Sequence, residues 1–168
     1  MSDSLDFSLH DVEVSLTPME RFQEFLESRG KRVTSQRRIL VETVFSRHEH
    51  FEADELVEEL AYKSSEKRVS RPTVYRTLSE LVDAGLLRKM SLPGGRLVYE
   101  HDYGYPQHDH LYCQKCNKLI EFQSDELIKL RAALAAQYQF QVTGHRLIVQ
   151  GVCVDCRSHR RKRPVDQI

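Results

Sequence analysis

A chain of 168 residues can form one domain of ordinary size or two small ones. Apolar residues make up 40% and charged residues 30%, a soluble globular balance that excludes wholesale disorder. Lys and Arg number 25 and Asp and Glu number 25, so the formal charge is zero; this argues against a strongly basic architectural nucleic-acid binder but leaves room for a local basic face. No apolar run approaches the length of a membrane span, and the N-terminus is acidic, without a basic segment leading into an apolar one. The expected location is cytoplasmic, with no membrane contact. There thiols stay reduced, and paired Cys-x-x-Cys motifs favour zinc over disulfides.

Residues 1–16 carry acids, serines and scattered apolar residues with no Lys or Arg, which fits a mobile arm or a short accessory helix. From Pro18, the residues Met19, Phe22, Phe25 and Leu26 recur at helical spacing, and Gly30 marks the stop. Arg29, Lys31, Arg32, Arg37 and Arg38 follow without an intervening acid, just ahead of a helix-turn-helix pattern, where phosphate contacts are expected. A second helix over 35–47 turns Ile39, Leu40, Val44 and Phe45 inward, and His48-Glu49-His50 breaks it. A third over 53–63 carries Leu56, Val57 and Leu60. After a polar turn, Ser70 reads as an N-cap with Pro72 in the first turn, where its missing N–H costs nothing.

The fourth helix, over 71–84, places Val74, Leu78, Leu81 and Val82 in one apolar stripe. Arg76 falls almost opposite, beside Pro72, Ser79 and Asp83, with Thr73 and Tyr75 flanking the stripe. Such a face suits a recognition helix: arginine grips guanine edges bidentately, and Thr or Tyr carbons meet thymine methyls. Beyond Gly85 the pattern alternates to Met90, Pro93-Gly94-Gly95 forms a turn, and 96–100 returns as a strand. Helices followed by a two-stranded hairpin make a winged helix, whose wing carries Arg88, Lys89 and Arg96 within reach of backbone phosphates. Gly104 and Pro106 punctuate a hinge over 102–107. Strands are expected at 109–112 and 118–122, then a helix capped by Ser124 with Leu127, Leu130, Leu134 and Tyr138 on one face, then a long strand over 142–152. A strand-helix-strand unit this small needs metal cross-linking or dimerisation to hold a core. The tail over 157–168 is basic.

The segment His-Asp-His-Leu-Tyr-Cys-Gln-Lys-Cys at 108–116 concentrates metal ligands, and Cys153-x-x-Cys156 answers it. Each Cys-x-x-Cys knuckle presents two sulfurs to one ion, so Cys113, Cys116, Cys153 and Cys156 complete a closed tetrahedral site of structural type. His108 and His110 share one face of a strand while Asp109 points away. They require further ligands, for which His50, Glu100, Glu121 and His145 are candidates. Imidazole with carboxylate suits Fe(II), Mn(II), Zn(II), Co(II) or Ni(II). A metal-dependent hydrolase built on His-Asp-His is a competing reading, but the chain lacks the longer metal-binding repeats or phosphate loops such enzymes often show.

With these motifs in place, the chain resembles the ferric uptake regulator family from about Thr17 to Cys156. The most specific pieces are RPTVYRTL at 71–78, GGRLVYE at 94–100, HDHLYCQKC at 108–116 and KLIEF at 118–122. The resemblance implies an α+β fold: an N-terminal winged-helix DNA-binding domain at 17–101 and a small α/β dimerisation domain with a four-cysteine zinc site at 108–156. It implies a homodimer on a palindromic double-stranded operator, acting as a metal-dependent repressor and not as an enzyme. The structural zinc ligands fall on Cys113, Cys116, Cys153 and Cys156. The regulatory site falls on His50, Glu100, His108, His110 and Glu121, and the DNA-contacting set on Lys31, Arg71, Thr73, Tyr75 and Arg76. Asp109 and His145 match a third metal site of some relatives, or a supporting role, but Gln107 and Ile128 stand at its other two positions. Peroxide-sensing members tend to have Asp in place of Glu100 and Glu121, and zinc sensors generally use a sensory cysteine. The implied regulatory ion is therefore Fe(II), for which Mn(II), Zn(II) or Co(II) can substitute; peroxide, manganese and zinc sensing are the alternatives.

Overall fold

The computed structural model of the protein describes residues 7–9, 12–47, 49–63 and 69–158, with 62 and 63 in backbone only. His48, most of the polar turn before Ser70, part of the N-terminal arm and the tail from 159 onward lie outside the described residues. The chain divides into two compact units. One comprises the described residues between 12 and 106, the other residues 107–158 together with 7–9.

The first unit begins with α1 (Pro18–Ser28). Thr17 and Glu20 build a capping box: the Glu20 N–H donates to Thr17 Oγ1 at 3.2 Å, and the Thr17 N–H donates to Glu20 Oε2 at 2.8 Å. Gly30, at φ 66°, supplies the left-handed residue that lets the Lys31 N–H return to the Leu26 carbonyl at 2.8 Å. α2 (Ser35–Phe45) stops two residues before the expected 47, because the Ser46 hydroxyl donates to the Thr43 carbonyl and caps the last turn. α3 (Ala53–Lys63) and α4 (Arg71–Asp83) follow, the latter N-capped by Ser70 with Pro72 in its first turn. β1 (Leu87–Ser91) and β2 (Leu97–His101) form the antiparallel wing. Phe22, Leu26, Leu40, Val44, Leu56, Leu78, Leu81 and Leu86 are fully buried in one core that joins all four helices to the base of the wing. Each large buried apolar side chain contributes about 1.5–3 kcal/mol, and this core is the main apolar burial holding the unit together.

Phe51 adds a bridge to β2. Its N–H donates to the Tyr99 carbonyl at 3.1 Å and its carbonyl accepts from the Tyr99 N–H at 2.8 Å. The segment after α2 thereby becomes a one-residue third strand.

The second unit contains β3 (Asp109–Cys113), β4 (Leu119–Phe122), α5 (Asp125–Gln137), β5 (Ile148–Gly151) and a short α6 (Val154–Ser158) that the sequence pattern did not announce. The sheet order is β4-β3-β5, with β3 antiparallel to β4 and parallel to β5. α5 starts at its Ser124 cap, as expected. The long strand expected over 142–152 is reduced to Ile148–Gly151. β3 begins at Asp109, so residues 142–146 have no strand alongside them to complete a ladder. Instead the Asp109 carboxylate accepts the Leu147 N–H at 3.1 Å and ends the pairing there. Of this unit's described apolar residues only Tyr112 and Cys113 are buried, and α5 buries none. No helix among the described residues is long and apolar enough to cross a membrane.

Candidate functional site

Cys113 ends β3, Cys116 closes the turn after it, Cys153 follows β5 and Cys156 sits in α6. The parallel register of β3 and β5 pairs Cys113 with Gly151, which delivers the second knuckle to the first. All four sulfurs lie within 4.8 Å of one another, and Cys116 Sγ is 3.7 Å from Cys153 Sγ. A tetrahedral zinc site with bonds of about 2.3 Å has sulfur–sulfur edges of about 3.8 Å, so the donor set fits that ion. Backbone N–H groups of Cys153 and Cys116 hold the Cys113 thiol down at about 6. Hydrogen bonding to Cys116 and Cys153, together with burial, pushes Cys156 up to about 12. Four thiolates packed so closely need a divalent cation among them before all can ionise.

The second group in this unit arises from strand register. His110 pairs with Glu121 across β3 and β4, which puts both side chains on one face, and His108 precedes by one pleat. The His108 and His110 rings are 4.8 Å apart, and His108 Nε2 is 3.8 Å from Glu121 Oε1. Both imidazoles are buried, at 5% and 2% exposure. Two nitrogens and a carboxylate oxygen form a set that a borderline divalent cation accepts.

The first unit brings His50 and Glu100 together independently. Because Phe51 pairs antiparallel with Tyr99, His50 falls opposite Glu100, and His50 Nε2 is 3.0 Å from Glu100 Oε2. Arg88, the β1 partner of Glu100, lies 3.7 Å from its other oxygen and bonds Asp102 as well. Periodicity could not reveal this pairing, since the bridge involves a single residue far away in sequence. Asp109 turns to the opposite side of β3 from the two imidazoles, where His145 Nε2 is 3.2 Å from Asp109 Oδ2.

On α4, Arg71, Tyr75 and Arg76 are exposed and Thr73 is half-buried, so the face expected to meet DNA is turned outward. Asp54 of α3, which sequence reasoning passed over, organises it. Tyr75 OH donates to Asp54 Oδ1 at 2.5 Å, Arg71 Nη2 is 2.6 Å from the same oxygen, and the Arg71 guanidinium lies over the Tyr75 ring at 5.5 Å. That hydrogen bond raises the Tyr75 phenol above its ordinary value. The basic run divides. Arg37 forms a two-oxygen fork with buried Glu80, and Lys31 Nζ, on a half-exposed side chain, reaches the same carboxylate at 2.8 Å, so both charges are paired. In the wing Arg88 and Arg96 are likewise turned to carboxylates, those of Asp102 and Glu52. On the expectation that α4 reads base edges, Arg76→Ala should weaken binding to a specific operator about 5- to 150-fold, with relaxed preference at one base pair, the effect of losing one arginine–base contact of about 1–3 kcal/mol. Fluorescence anisotropy over single-base operator variants checks this.

The chain matches the sequence profile described as Ferric uptake regulator family over residues 28–150. It is 33% identical over 144 residues to the ferric uptake regulation protein of Campylobacter jejuni, covering 86% of this chain and 91% of that protein. Over 158 residues it is 28% identical to the peroxide-responsive repressor PerR of Staphylococcus epidermidis, with coverages of 94% and 98%. Among solved structures, the Vibrio cholerae ferric uptake regulator superimposes with a TM-score of 0.65 at 32% identity, covering 78% of this chain and 98% of that one.

Proposed function

This chain belongs to the Ferric uptake regulator family, and on that premise we propose that it is an Fe(II)-responsive, homodimeric repressor acting on operator DNA in the cytoplasm. The family consists of metal-responsive transcription regulators; we assign no catalytic residue to the chain. The observation that carries the reading is a division of labour among ligands. All four cysteines converge in one sulfur cluster, leaving the histidines and glutamates as a separate nitrogen and oxygen set. Cys113, Cys116, Cys153 and Cys156 would hold a structural Zn(II). His50, Glu100, His108, His110 and Glu121 would hold the regulatory Fe(II), with Mn(II), Zn(II) or Co(II) able to substitute.

Bound metal supplies charge neutralisation and a fixed angular demand on its ligands. His50 and Glu100 belong to the unit carrying α4, and His108, His110 and Glu121 to the other. Only arrangements in which all five donors converge satisfy the set, and those are therefore favoured when metal is plentiful. In a dimer such a preference sets the separation of two α4 helices, which must match half-sites about 34 Å apart or a multiple of that. A swing from 1:99 to 99:1 in the DNA-competent form takes about 5.5 kcal/mol of differential affinity. The decisive experiment is operator affinity measured anaerobically against a panel of divalent ions. The expected result is tight binding with Fe(II) and its mimics, and weak binding with the zinc-only protein. Full-strength binding without added metal refutes the switch, and a response confined to another ion reassigns the metal.

A second copy of the chain is supported by apolar surface left uncovered. Leu111, Ile120 and Val149 are register neighbours across the three strands and are each more than 40% exposed. Leu130, Leu134 and Tyr138 of α5 and its cap are exposed as well. An α/β unit with almost no core of its own gains one by burying this face against a twin. Leu134→Glu is expected to weaken the dimer at least about 100-fold, since about 1.5–3 kcal/mol of burial is lost twice in a symmetric interface. Sedimentation equilibrium reads the change, with helix content unaltered.

A further inference from the structure

One cluster in the 107–158 unit belongs neither to the sulfur site nor to the His108, His110 and Glu121 face. Arg131, on α5, donates from Nη1 to Gln107 Oε1 at 3.0 Å and to Nδ1 of His145. Gln107 Nε2 in turn approaches the His145 carbonyl at 3.5 Å. His145 Nε2 faces both Asp109 oxygens, at 3.1 and 3.2 Å, and Oδ1 also accepts the Leu147 N–H. The protons of this network can be counted. A guanidinium has donors only, so His145 Nδ1 must be the acceptor, and the single ring proton then sits on Nε2 and is donated to Asp109. Both nitrogens of the imidazole are engaged, the carboxylate already has two donors, and a permanent positive charge stands in the middle.

Asp109 and His145 are the two positions that match the third metal site of some relatives, and the groups around them do not fit a metal. A metal ion would need either the Nδ1 lone pair of His145 that Arg131 occupies or the Nε2 position whose proton Asp109 holds, and it would sit beside a cation that does not deprotonate. We infer that Arg131 is a built-in cation that replaces a third metal ion. It does permanently what a divalent ion would do on binding: it draws Gln107, the His145 loop and, through that loop, Asp109 toward α5. Asp109 lies between His108 and His110 on β3, so Arg131 is a positioning residue for the strand that presents both imidazoles.

The test reads differences in metal count between forms of the full-length protein, so it does not depend on which ion serves the regulatory site. Wild type, Gln107→His, and the double variant Gln107→His with Arg131→Ala are saturated with Co(II), desalted, and assayed by elemental mass spectrometry and visible absorption. Gln107→His alone adds an imidazole but keeps the guanidinium, and it is expected to hold the same number of ions as wild type. The double variant is expected to gain one ion per chain, with new ligand-field bands. An extra ion in Gln107→His alone overturns the inference, because Arg131 then does not exclude metal. No extra ion in a double variant that remains a folded dimer overturns it as well. Should the double variant fail to fold, nitrogen chemical shifts of His145 in the wild type decide. Values for a neutral ring protonated at Nε2, unmoved by saturating Co(II) or Zn(II), uphold the inference; a metal-induced shift at His145 refutes it. Failure of the regulatory reading alone would lower the count in all three forms equally and leave these differences intact.

Discussion

Replacing Cys113 and Cys116 together by serine is expected to unfold the 107–158 unit and abolish dimerisation, while the helices of the 12–106 unit persist. The two units differ sharply in what holds them. The winged-helix unit has a continuous apolar core that draws on residues from Phe22 to Tyr99. In the other, only Tyr112 and Cys113 of the described apolar residues are buried. Structural zinc binding contributes about 10–16 kcal/mol to folding in small domains, comparable to or larger than the whole stability of a typical domain at about 5–15 kcal/mol. Losing it leaves a three-stranded sheet and two helices without enough burial to offset chain entropy. Native mass spectrometry should show a monomer lacking one zinc, and circular dichroism a loss smaller than complete unfolding. A stable, metal-free dimer of the double variant would sink the structural assignment. A strong chelator should reproduce the loss in the wild type.

His108→Ala is the second large effect. It is expected to lower metal-dependent operator affinity about 10- to 100-fold, within the range of typical allosteric coupling, and to leave the dimer and its zinc in place. His108 is buried, lies 4.8 Å from the His110 ring, and approaches Glu121 on the neighbouring strand. Its loss removes one donor from the proposed regulatory set without touching the sulfurs, which gather at the other end of β3. Affinity in the absence of regulatory metal should stay at the wild-type level. If the variant keeps the full metal dependence, His108 is a structural histidine and the regulatory set needs another member. Glu121→Ala, changed on the opposing strand, should give a loss of the same kind.

Much of the architecture could be read from local chemistry. Ser70 and Ser124 each stand where a helix begins, since a side-chain oxygen that satisfies an orphan N–H is a local matter. Val74, Leu78 and Leu81 turn inward on α4 as their spacing requires, leaving Arg76 outward. The error over 142–152 has an equally plain cause. Alternating apolar residues state that a segment can be a strand, but a ladder needs a partner, and β3 is too short to provide one. The charges were the least legible. Lys31 and Arg37, read as part of a phosphate-binding run, meet in space at Glu80, a residue from α4 that becomes buried because two cations cover it.

By itself the sequence determined which residues can ligate metal, where five of the helices start, and which face of α4 looks outward. These follow from residue chemistry and from the 3.6-residue period, and both act over a few positions. Only the tertiary structure decided which distant groups face one another. The Phe51–Tyr99 bridge sets His50 against Glu100, the β3–β4 register sets His110 against Glu121, and α5 carries Arg131 to His145 beside Asp109. Those pairings depend on strand register and helix placement, which are fixed by burial summed over a whole unit and leave no local mark in the chain.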